Sequence, residues 1–167
     1  MGQLVEEVKL WNTPIVGAYL LWKFTKGYCD GHPNGDAPIG LLHFVAIAIL
    51  TNKKLLEPIS NKRDDLQSYS RSFEKSKESD ILLTIEERTR EMREYTMASI
   101  DIAIAEGLLV WDADSGKLYP RNISKTPSRG RALNNMYKNN GKKAEILGKW
   151  FARHDLPTIA AYLKVVF

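Results

Sequence analysis

The sequence predicts a mainly α-helical fold with one β-hairpin, a winged-helix-like helical domain. Three observations predict it. Apolar residues recur at helical spacing in several segments, and most of these open on a cap residue or proline. One stretch alone, AEGLLVWDADSGKLYPRN (Ala105–Asn122), reads as helix end, glycine stop, strand, glycine-bearing turn and strand. The order helix, helix, capped helix, hairpin is that of a winged helix-turn-helix.

The first helix begins in WNTPIVGAYLLWKFTKGYCDG. Asn12 or Thr13 supplies an N-cap oxygen, and Pro14 suits the first turn, where its missing N–H costs nothing. Ile15, Ala18, Tyr19, Trp22 and the Lys26 stem share one face, with Val16, Leu20, Phe24 and Tyr28 beside it. A helix so apolar around its circumference is expected at the centre. Gly27 and Gly31 are expected to end it. Asp30–Pro38 is dense in turn formers and reads as a loop. Pro38 then opens PIGLLHFVAIAIL, a second, very apolar helix whose length disfavours a strand. Pro58 breaks the next segment. Ser60 or Asn61 is expected to cap an amphipathic third helix with Leu66, Tyr69 and Phe73 on one stripe.

Thr84–Glu87 fits the T-x-x-E capping box, so a fourth helix is expected from there to Glu106. Met92, Tyr95, Ser99, Ile102 and Ala105 lie on one of its faces. Gly107 stops it as a left-handed cap. The hairpin follows as Leu108–Trp111, a turn at Asp112–Gly116, and Lys117–Pro120. Trp111 and Tyr119 are expected to form a cross-strand aromatic couple. Arg121–Lys143 carries seven basic residues and no acid and reads as a loop with a helical turn near Leu133–Tyr137. A fifth helix over Lys143–His154 and a short one from Pro157 finish the chain. The expected organisation is a helical domain with its hairpin over 1–120 (hairpin 108–120), a basic loop over 121–142, and C-terminal helices over 143–167 packing on the same domain.

Composition narrows the function. The 167 residues are 44% hydrophobic and 26% charged, an ordinary globular balance. The single cysteine, Cys29, excludes an intramolecular disulfide framework and a cysteine-pair zinc site. It fits a reducing compartment. No apolar run reaches the roughly 20 residues a bilayer span needs. The N-terminus lacks the basic-then-apolar order of a signal peptide, and Glu6 stands where a lipidated Gly2 would require Ser or Thr. A cytoplasmic protein without a membrane contact is therefore expected. Charge is unevenly placed: residues 1–120 carry 14 basic against 18 acidic side chains, and residues 121–167 carry 10 against 2.

Catalytic signatures are missing. There is no phosphate-binding glycine loop of either common type. Cys29, Asp30 and His32 form the tightest group of ligand-type residues, and a metal or nucleophile role would require His43 or His154 beside them. Asp64–Asp65 and Glu86–Glu87 are adjacent pairs, which do not face one another on a helix and so cannot share an acid/base site. No catalytic, cofactor or metal residue is assigned, and no cofactor is expected. The basic stretch is the strongest physical hint. Arg121, Lys125, Arg129, Arg131, Lys138, Lys142 and Lys143 are the candidate nucleic-acid contacts, with Tyr137 as a base-stacking partner. Trp11, Trp111 and Tyr119 are the candidate partner-interface residues. The alternative role for Trp11 is a hydrophobic staple for the first helix.

Three stretches carry a family resemblance. WNTPIVGAYLLWKFTKGY resembles the opening of the middle component of bacterial ABC three-component systems. KKAEILGKWFARHDLPTIAAYLKV resembles its closing segment, and TREMREYTMASIDIAIAEGLLVWD its long helix leading into a Gly-Leu-Leu strand. Asn61–Asp80 and Arg121–Gly141 match weakly. The resemblance implies a small non-catalytic subunit that accompanies an SMC-like or Rad50-like ABC ATPase and an effector subunit of nuclease type. It implies a role in anti-phage or anti-plasmid defence, with Lamassu systems as relatives. It transfers no catalytic residue. Two functions are thus expected to compete: an adaptor subunit of an SMC-like ATPase complex that reaches DNA through the complex, and a stand-alone winged-helix DNA binder. The hairpin turn carries Asp112 and Asp114 against Lys117, so the hairpin is expected to dock on protein rather than face phosphate.

Overall fold

The computed structural model describes residues 13–63, 65–123 and 135–167. Among them are eight helices and one hairpin: α1 (Pro14–Gly31), α2 (Gly40–Leu50), α3 (Lys53–Leu56), α4 (Leu66–Lys75), α5 (Asp80–Glu91), α6 (Arg93–Ala105), β1 (Leu109–Asp112), β2 (Lys117–Pro120), α7 (Asn135–Ala152) and α8 (Leu156–Leu163). This is the mainly helical, winged-helix-like arrangement expected. Asn12 and Trp11 lie outside the described residues.

α1 is the central element, packed between α6 and α7 and crossed by α2. Its proline stands in the first turn, as expected. Gly27 does not end it. The helix runs on to Gly31, and Gly27 serves a packing role. A Cβ on Gly27 would fall 2.1 Å from the Glu145 carbonyl oxygen, and one on Gly148 would fall 2.1 Å from that of Phe24. The two glycines let the backbones of α1 and α7 approach until main chain meets main chain. Leu20 and Phe24 of α1, with Ala144, Leu147 and Phe151 of α7, are fully buried there. α2 is buried along most of its length, from Leu42 to Leu50 apart from Phe44.

Four helix boundaries differ from those expected. Asp65 caps α4, its Oδ1 accepting the Ser68 N–H at 2.9 Å, in place of Ser60 or Asn61. The stripe Leu66, Tyr69, Phe73 is buried as expected. Thr84 is no cap: it lies inside α5, and its hydroxyl donates to the Ile81 carbonyl. The helix expected to run unbroken to Glu106 turns at Met92 into α5 and α6. α5 packs on α2 and α6 packs on α1, so one straight helix cannot serve both. Arg88, just before the turn, donates to the Ala48 carbonyl and the Thr51 hydroxyl at the end of α2. Lastly, α7 begins at Asn135, so residues 135–142 join one continuous helix where the expectation is a loop with a helical turn near Leu133–Tyr137.

The hairpin is held at both ends. Gly107 adopts φ +72° as the expected stop, and the N–H groups of Gly107 and Leu108 bond to Ile104 and Ala103 carbonyls, a Schellman closure. The β1–β2 register pairs Val110 with Tyr119 and Trp111 with Leu118. Trp111 and Tyr119 are therefore on opposite faces, and the expected aromatic couple does not exist. Leu109 and Leu118 are buried with Ala18, Leu21, Ile47 and Ala103, which seats the hairpin on α1, α2 and α6. A short third rung joins it: Gly40 N–H donates to the Gly116 carbonyl, Leu118 N–H donates to Pro38, and Lys117 pairs with Asp36.

Candidate functional site

Three elements, with Thr89 and Arg90 of α5 beside them, enclose an apolar groove of about 850 Å³ beside the hairpin tip. α6 contributes Arg93, Met97, Ile100, Asp101 and Ile104, spaced as one helical stripe. This is not the face on which α6 meets α1: Tyr95 and Ser99 point there, against Gly17. α2 contributes Gly40, Leu41 and Phe44, and the hairpin closes the far wall with Trp111, Ser115 and Gly116. Met97 is 49% exposed and Trp111 48%, large apolar surfaces left in water. The Trp111 ring lies along Gly40, where an added Cβ would stand 3.2 Å from Cζ3. Arg90 and Arg93 mark one end of the groove and Asp101 interrupts its α6 wall.

The first acid of the hairpin turn is used inside it. Asp112 accepts the Asp114 N–H and the Ser115 hydroxyl, and these bonds hold its carboxyl below the usual carboxylate range. Asp36 is likewise held low by Lys117.

Of the interface residues expected from sequence, Trp111 stands in the groove. Tyr119 is exposed on the opposite hairpin face, and Trp11 lies outside the described residues. Sequence reading missed Met97, Leu41 and Ile104. The one available signal for Met97 and Ile104 was the second apolar stripe of α6, which resembles ordinary core, and Leu41 is one residue of the continuous apolar run of α2.

The basic candidates divide. Lys125, Arg129 and Arg131 lie outside the described residues. Arg121 is exposed where β2 ends; its N–H donates to Leu108, and its carbonyl accepts the Trp22 Nε1–H at 3.0 Å. Lys138 and Lys142 are exposed on α7. Lys143 turns inward: its ammonium donates to the carbonyls of Leu56, Glu57 and Ile59, closing the end of α3. Tyr137 is partly buried on α7.

Cys29 and His32 show no sign of chemistry. Burial pushes the Cys29 thiol up to about 11, so it stays protonated at neutral pH. The His32 Nδ1 accepts the N–H groups of Asn34 and Asp36, a loop-closing role. His32 and His154 line one cleft, but among the described residues no group of three His, Cys, Asp or Glu gathers to hold a metal. His43 is fully buried, 2.9 Å from the Thr25 hydroxyl, and burial lowers its pKa to about 4. No helix of the described residues is long and apolar enough to cross a membrane.

No curated protein and no solved structure matches this chain. A family model does: that of the ABC-three component (ABC-3C) system Middle Component 3 matches residues 1–167, and the chain belongs to that family.

Proposed function

We propose that this chain is the non-catalytic adaptor of a bacterial defence complex, holding an SMC-like ABC ATPase and an effector subunit of nuclease type together in the cytoplasm. Kinship with Lamassu systems is part of the same reading. The observation that carries it is the groove walled by Met97, Ile104, Leu41 and Trp111. A membership in a multi-subunit system calls for such a surface, and patches of this kind mark interaction sites. The occupant we assign is an amphipathic helix of the ATPase subunit. The α6 wall from Arg93 to Ile104 rises about 16 Å, enough for roughly three helical turns of partner. Such a helix would present apolar residues at i, i+3, i+4 and i+7, with an acidic residue toward Arg93.

Co-expression with the system's ATPase and effector, followed by size exclusion, tests the proposal. The chain should elute with the ATPase, and Trp111→Ala or Met97→Asp should release it while leaving the chain folded. A wild-type chain that elutes alone in the presence of both subunits refutes the adaptor role.

A further inference from the structure

We propose that the outward face shared by α1 and α7 binds the phosphate backbone of duplex DNA. Lys138, Lys142 and Lys149 are spaced to form one line along α7, and all three are exposed. Glu145 stands on the same line and pairs with Lys23 of α1 at 2.8 Å, which places that line directly beside α1. The outward line of α1 is Tyr19, Trp22, Lys23 and Lys26. The Trp22 indole N–H holds the Arg121 carbonyl, which brings the Arg121 main chain to the edge of that face, with its guanidinium lying toward Gly107.

Four cations therefore gather there, Lys26, Lys138, Lys142 and Lys149, with Arg121 at the edge of the face. None of them is in an ion pair among the described residues. Two carboxylates share the face. Glu145 is engaged by Lys23, and Asp30 sits at the end of α1.

The aromatic groups decide the form of nucleic acid. The Lys26 ammonium lies 4.7 Å from the centre of the Trp22 ring, and the indole N–H is already bonded. Tyr19 packs over Gly141. Neither ring is offered for stacking on an unpaired base, which single-strand binding relies on. What the face offers is charge on a line. From Lys138 to Lys149 the helix rises about 16 Å, the length over which a duplex presents roughly ten phosphate charges. Binding of this kind is independent of base sequence. The face shares no residue with the apolar groove, so a protein partner and DNA can be held together.

Fluorescence anisotropy of the full chain with a labelled duplex of about 20 base pairs, read across a salt series, tests this. Four phosphate contacts set an upper slope of about −3.6 in log affinity against log salt. The triple variant Lys26→Glu/Lys142→Glu/Lys149→Glu should bind at least about tenfold more weakly and lose about 2.7 of that slope. A triple variant with the same charge change elsewhere, Lys53→Glu/Lys54→Glu/Lys75→Glu, should retain most of the affinity. If the first triple fails to fold by circular dichroism, the corresponding glutamine triple replaces it. The proposal is overturned if the wild type does not bind duplex at low salt, if both triples weaken binding equally, or if polyglutamate or phosphatidylserine vesicles compete as well as DNA. Trp111→Ala should leave DNA binding intact, so the fate of the adaptor reading is read separately.

Discussion

Gly148→Ala sets two opposed effects against each other at one atom. In an exposed helix the change would stabilise by about 1 kcal/mol, because alanine loses less backbone entropy on folding. Here the new Cβ would sit 2.1 Å from the Phe24 carbonyl oxygen and 2.7 Å from the Tyr28 nitrogen. Ordinary contact needs about 3.5 Å, so α1 and α7 must part by about 1 Å or more. Both obstructing atoms are main chain, so no side chain can swing aside. A gap of that size forfeits a quarter to a half of each facing dispersion contact around Leu20, Phe24, Leu147 and Phe151. Overpacking of this kind costs about 3 kcal/mol. Set against the propensity gain, the net loss is about 2 kcal/mol. Urea unfolding reads it as a midpoint lowered by about 1 M at an m-value near 2 kcal/mol/M. Gly35→Ala supplies the contrast. Gly35 has φ +67° and no neighbour within 4 Å of its added Cβ, so only backbone strain of about 1 kcal/mol is expected. A Gly148→Ala midpoint equal to or above wild type would refute the close approach of the two helices.

Three further outcomes follow from single side chains. His43 titrates near 4 folded and near 6.5 unfolded, so its contribution is complete above pH 6.5 and is lost at about 1.4 kcal/mol per unit as pH falls toward 4. Urea midpoints at pH 7 and pH 5 should diverge for wild type and less so for His43→Gln; parallel profiles would contradict the neutral buried ring. Lys143→Met strands three carbonyls and should cost about 1–3 kcal/mol, whereas its neighbour Lys142→Met should unfold like wild type. Equal midpoints for the two would remove the structural role of Lys143. Trp111→Ala should lower stability by less than about 1 kcal/mol yet weaken the ATPase complex at least about tenfold, as a half-exposed anchor does; a large drop in thermal midpoint would instead make Trp111 part of the core.

Much of the fold was legible because its signals are local. Pro14 opens α1, Gly107 closes α6, and the turn glycine of the hairpin occupies positive φ. Each acts through the conformation of its own residue, which a sequence states directly. The stripe Leu66, Tyr69, Phe73 was legible for a similar reason, since periodicity reports the buried side of a helix. Family membership was legible from motifs at both ends. The hairpin strands were found within one residue, but that residue matters in a strand: the register sets Trp111 against Leu118 and sends Tyr119 to the other face.

Local signals, then, state the opening of α1 at Pro14, the stop at Gly107 and the turn of the hairpin, which residues are apolar enough to be buried, and where the positive charge is concentrated. Tertiary structure decided what those residues are for. A glycine in α1 looks the same in sequence whether it ends a helix or admits a neighbour, and only the approach of α7 shows Gly27 to be the second. Lys142 and Lys143 are adjacent and chemically identical, yet a rotation of about 100° around α7 sends one to solvent and the other to three carbonyls at and just past the end of α3. The apolar groove is drawn from α2, α6 and the hairpin, and the basic face from α1 and α7, with the end of β2 at its edge. Both surfaces are made by residues far apart in the chain, so the physical fact that creates them, the packing of helices around α1, is written in no single stretch of the sequence.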